Sequence, residues 1–171
     1  MNDQRLRLVA PAFLVIGALF GVAGTFVASA SLRGLLWGID GIALIGTTAF
    51  LAVHHVRRGD VAVAAGFLVF VAGETLVLGS TAMDLTAGGP LFGAGVGLWA
   101  ASLILVSLPN VMPSWVRAVA VVGALLFVIV ALQIFAGRPV TALSKPLPFF
   151  AYPFLAATLF GWARNHYQNA T

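Results

Sequence analysis

The chain has 171 residues, 61% of them hydrophobic and only 8% charged, with a mean hydropathy of +1.05. Too few polar groups are available to cover a water-soluble globule, so the composition places the chain in lipid. Its net charge of +4 comes from basic residues scattered singly or in pairs, which argues against nucleic acid as a partner, and zero cysteine excludes disulfides, thiolate metal sites and thiol catalysis.

Six apolar stretches follow one another, each near the roughly 20 residues that cross a bilayer. The first covers residues 8–31, behind a short head carrying Arg5 and Arg7. Residues 34–56 and 61–80 form the second and third, joined by the tight link Arg57, Arg58, Gly59, Asp60. A glycine-rich loop ending at Pro90 leads into the fourth, 91–108, and a turn framed by Pro109 and Pro113 ends it. The fifth is 114–136, and the sixth starts near Pro146 and stops at Trp162. The expected fold is all-α: a polytopic membrane protein with one transmembrane domain over residues 1–171, built as a bundle of six helices. Nothing remains for a soluble domain, so any activity belongs in the membrane or at its faces.

Orientation follows from the basic residues beside the spans, because these favour the cytoplasmic side. With the N-terminus inside, that side collects Arg5, Arg7, Arg57, Arg58, Arg117 and Arg164, against Arg33, Arg138 and Lys145 outside. Both termini are therefore expected inside, in the cell (inner) membrane. Trp115 and Trp162 are expected near the inner interface and Trp37 near the outer one. An alternative treats the first stretch as a secretory signal cut near Ala28, Ser29 and Ala30, which leaves five spans.

Asp40 and Glu74 are the most informative residues. A carboxylate inside a span costs about 3 kcal/mol on insertion scales and persists only where something offsets it. Each lies about six residues in from the outer end of its span, roughly 9 Å deep at 1.5 Å per residue. Two carboxylates at one depth on consecutive helices are suited to sharing a proton, a cation or an amine-bearing solute. Helical spacing sets Trp37, Asp40, Leu44 and Thr47 on one face, and Phe67, Glu74 and Thr81 on another. Gln133 and Tyr152 fall at the same outer level, and Pro146, Pro148 and Pro153 disturb the start of the sixth span as a cavity-lining segment would. A polar pocket in the outer half, including Glu74, Asp40, Gln133, Tyr152 and Thr47, is the resulting expectation. The competing reading makes these groups interhelical glue, each hydrogen bond contributing about 0.6 kcal/mol.

His54, His55 and His166 collect at the inner end, but adjacent histidines point about 100° apart on a helix, so no metal is expected there and they are read as facing headgroups. Glycine pairs at four-residue spacing, among them Gly17/Gly21 and Gly34/Gly38, indicate close packing. No catalytic signature is present. The chain thus reads as a permease or substrate-binding membrane subunit for a small solute or ion, needing no cofactor, with the bilayer, its ligand and a second copy or partner membrane subunit as partners. A small membrane enzyme acting on a lipid or hydrophobic substrate, with the carboxylates as acid and base, is the alternative, and a non-catalytic subunit or assembly factor is a third. In size, helix count and outward-facing pocket the chain resembles the small vitamin-binding S-components of energy-coupling transporters, a likeness of architecture without matching residues.

Overall fold

The computed structural model describes residues 3–168, with side chains from Leu8 onward, so the side chains of Arg5 and Arg7 lie outside the described residues. The described residues form six helices: α1 (Asp3–Phe26), α2 (Ala30–Arg58), α3 (Val61–Thr81), α4 (Gly89–Ser107), α5 (Ser114–Phe135) and α6 (Tyr152–Gln168). Each packs on its successor, and α6 returns to α1, so the six close into a ring. Short links make α1 to α5 alternate in direction, and α6, behind the longer segment 136–151, runs from Tyr152 at the cavity to His166 beside His55. Two ends follow: a carboxylate end near Asp40, Thr81 and Tyr152, and a histidine end near His55 and His166.

The helix boundaries have local causes. The triplet Ala28, Ser29, Ala30 spans the link between α1 and α2, where the Ser29 side chain accepts from the Leu32 amide and caps α2. At the other end of α2, Gly59 turns the chain in the left-handed region at φ 81°, a conformation that favours a residue without Cβ. The sixth helix begins at Tyr152, not near Pro146 as the sequence pattern suggests. Proline disfavours helical backbone at the residue before it, so Pro146 and Pro148 hold residues 146–151 in turns. Pro153 fits within the first helical turn, where its missing N–H has no helical partner to lose.

Inside the ring runs an aromatic column. His55 stacks on Phe67 at 5.6 Å, Phe67 meets Trp162 edge-on at 5.0 Å, and Trp162 reaches Phe70 at 5.9 Å. Phe70 then stacks on Trp99 at 6.1 Å, and Trp99 meets Phe127 at 5.4 Å. Trp162, expected at an interface, is fully buried in this column. Glycines let α3 and α4 approach backbone to backbone: a Cβ on either Gly73 or Gly95 would stand 2.9 Å from the other's carbonyl oxygen. These two are not among the four-residue pairs that the sequence pattern singles out, and at Gly34 and Gly38 a Cβ would meet nothing within 4 Å.

The outward faces are apolar too. Ile42 and Val61 are each 70% exposed and Leu132 63%, although solvent would penalise all three. Five helices, α1 to α5, carry stretches long and apolar enough to cross a membrane. The molecule is a helical bundle of the multi-pass membrane type.

Candidate functional site

One cavity of about 60 Å³ lies in the carboxylate half of the ring, and both Asp40 and Glu74 line it. Glu74 reaches it from the middle of α3, and Asp40 from α2 one helix away, beside Trp37 and Leu44 on the same face. Tyr152 enters from the first turn of α6, its hydroxyl donating to the carbonyl of Ala142 at 2.8 Å. Ala142 belongs to the irregular segment between α5 and α6, which thereby forms part of the wall, as non-helical backbone in a membrane protein commonly does.

Room for Asp40 comes from α1. A Cβ on Gly21 would stand 2.6 Å from Asp40 Oδ2, and one on Gly24 would stand 2.5 Å from the Trp37 ring. Gly17 receives Leu44 in the same way. The glycine stripe of α1 is thus a bed for the polar face of α2. Trp37 is fixed there by its Nε1, which donates to the Gly21 carbonyl at 3.3 Å, while the Arg33 guanidinium lies 5.7 Å from its ring centroid.

Glu74 is 2% exposed, and its Oε2 has no hydrogen-bond partner. Trp99, 5% exposed and lining the same cavity, sets its indole N–H beside the Glu74 carboxyl without forming a well-shaped hydrogen bond. Buried polar atoms are paired in the great majority of cases, so this loose pairing leaves Glu74 Oε2 free to accept from a polar guest. Lysine, arginine and histidine are missing from the lining residues, and the rest of the wall is mostly aliphatic and aromatic. Negative charge placed there would have no protein counter-charge.

Two further expected members stand elsewhere. Thr47 donates to the Ala10 carbonyl at 3.0 Å and ties α2 to α1, the glue role that the sequence also allowed. Gln133 is on α5, which contributes nothing to the cavity wall. Trp99, Thr25 and Phe92 join the lining without having been singled out from sequence, and Gly21, marked there only for close packing, joins them; an aromatic or a glycine in an apolar helix carries no depth-specific cost that would flag it as a site residue.

A second space of about 260 Å³ lies at the carboxylate end, lined by Arg33, Met83 and Asp84 among others. Trp37 and Thr81 line both spaces, so the two adjoin at these residues.

Fold and site together define a class, a multi-pass helical bundle with an acidic, mostly apolar internal cavity. Compared with protein-family models, curated proteins and solved structures, the chain matches none. The likeness to S-components is thus one of size and helix number, and the role has to be argued from the cavity's chemistry.

Proposed function

We propose that the protein is a membrane permease, or the substrate-binding membrane subunit of one, for a small cationic solute or ion held between Glu74 and Asp40. The observation that carries this reading is the convergence of both carboxylates on one cavity, where Glu74 Oε2 has no protein partner. A cation entering there supplies the charge balance that the lining lacks, and the rings of Trp37, Trp99, Phe92 and Tyr152 add faces that attract cations. A space of about 60 Å³ suits an inorganic cation with its water or a short alkylammonium group. Entry runs from the space at Arg33 and Asp84 past Trp37.

In this reading α6 is the sixth crossing, both termini face the cytoplasm, the carboxylate end faces outward, and the membrane is the cell (inner) membrane. Support comes from the basic residues, with Arg57, Arg58, Arg117 and Arg164 at the histidine end. At 17 residues α6 is about 25 Å long, short for a crossing, and the turns at 146–151 extend its reach.

The test is uptake into proteoliposomes of a panel of radiolabelled monovalent cations and short primary amines. Glu74→Gln removes the charge and keeps the shape, so uptake of the transported species falls to background while the protein stays folded. Unchanged uptake with wild-type pH dependence would sink the proposal. If no panel member is carried, chemical turnover of extracted lipids by the purified protein favours the membrane-enzyme reading instead, since a permease leaves its substrate unchanged.

A further inference from the structure

The histidine end of the bundle holds a cluster that the cavity does not use. His54 and His55 lie near the end of α2 and His166 near the end of α6, two helices not packed directly on each other. His55, expected to face headgroups, is instead 3% exposed. Its Nδ1 is 3.1 Å from Asp60 Oδ2, and its Nε2 is 3.1 Å from Nε2 of His166. The other ring nitrogen of His166, Nδ1, is 2.7 Å from the Trp162 carbonyl oxygen.

Those three contacts limit where the hydrogens can be. A carbonyl oxygen only accepts, so His166 Nδ1 carries a hydrogen and donates it. Asp60 also meets Arg58 Nε at 3.5 Å, and the hydrogen bond from the His55 ring holds its carboxyl below the usual carboxylate range. It is therefore ionised at neutral pH, and His55 Nδ1 must carry a hydrogen as well. The two Nε2 atoms then face each other at hydrogen-bonding distance. Two bare lone pairs would repel and two hydrogens would collide, so the contact suits one hydrogen placed between them. Three hydrogens on four ring nitrogens would give the pair a single positive charge, which the Asp60 carboxylate has to balance against the cost of burying His55.

We infer that His55 and His166 form a binding site for one shared proton, counter-charged by Asp60, which bridges α2 to α6 at the end opposite the cavity. The charge rests mainly on His55, because that ring faces the carboxylate and His166 does not. Around the pair stand His54, with ring centroids 5.2 Å from His55 and 6.2 Å from His166, and Arg58 beside Asp60. On the packed faces α3 presents Phe67 and α6 presents Trp162, both apolar towards the pair. Among the described residues no three histidine or carboxylate side chains converge as a metal centre requires, which favours a proton over a transition metal as the occupant.

Nitrogen-15 spectra of histidine-labelled protein in nanodiscs test this directly. At neutral pH the wild type should show one ring protonated at both nitrogens and one neutral ring with its hydrogen on Nδ1. Asp60→Asn should lower the titration midpoint of the doubly protonated ring by about one pH unit or more, since its counter-charge is lost. His54→Gln should leave the signature in place. The inference is overturned if both rings of the pair are neutral in the wild type, if Asp60→Asn does not move the titration, or if the protein binds one equivalent of zinc that His166→Asn abolishes.

Discussion

Gly21 and Glu74 show how single residues set the chemistry of the cavity. Without a side chain, Gly21 leaves space for the Asp40 carboxylate, and a methyl group 2.6 Å from Oδ2 would displace it. Gly21→Ala is expected to weaken uptake of the transported cation by about tenfold, equivalent to about 1.4 kcal/mol, whereas Gly38→Ala, with nothing within 4 Å of its added carbon, leaves uptake unchanged. Glu74 is expected to cost stability, because a buried carboxyl with one oxygen left without a well-formed hydrogen bond does not strengthen the fold. Replacing it by an apolar side chain of similar size, Glu74→Met, should raise thermal stability in detergent by about 1 kcal/mol while ending uptake. A melting temperature lowered by this change would make Glu74 a structural bonding partner and favour the glue reading. Position along the helix was legible for Glu74, seven residues before the end of α3, but less so for Asp40, because α2 starts at Ala30 and sets it ten residues in, not six. Trp99 was not legible, because its significance comes only from an indole N–H that the fold sets beside the Glu74 carboxyl.

At the level of helices, the apolar runs marked α2 to α5 to within a few residues, and glycine and proline account for the differences. Gly59 holds φ 81° with open space around it, so Gly59→Ala should destabilise the α2–α3 hairpin by about 1 kcal/mol through backbone strain alone. A denaturation series in mixed micelles would read this, and an unchanged midpoint would contradict it. Gly73 presents the opposite case: its backbone is helical, but an added methyl would press on the Gly95 carbonyl. Gly73→Ala should therefore separate α3 from α4, lower stability and shift Glu74 relative to Trp99. Four-residue glycine spacing does not find this seam, because the close approach joins one glycine on each helix. The late start of α6 was hidden for a different reason: an apolar pattern continues through Pro146 and Pro148, and only the conformational limits of proline interrupt it.

Across the whole molecule, the closed ring leaves apolar faces on the outside and gathers polar groups inside. The native chain contains no cysteine, so single cysteines report topology without background. With both termini inside, a membrane-impermeant thiol reagent added to intact cells should label Ala87→Cys and spare Arg57→Cys and Arg164→Cys. Labelling of Arg164→Cys alongside Ala87→Cys would mean that α6 does not cross, and the reverse pattern overall would invert the bundle. By itself, the sequence determined the solvent and the approximate spans, because hydropathy and helical rise are properties of the chain in one dimension. Only the tertiary structure decided that Asp40 and Glu74 share a cavity while Thr47 and Gln133 do not, and that His55 meets His166 from 111 positions away. Those outcomes depend on how each helix is turned about its axis when six of them close a ring, and that rotation is set by glycine seams and aromatic packing contributed by other helices.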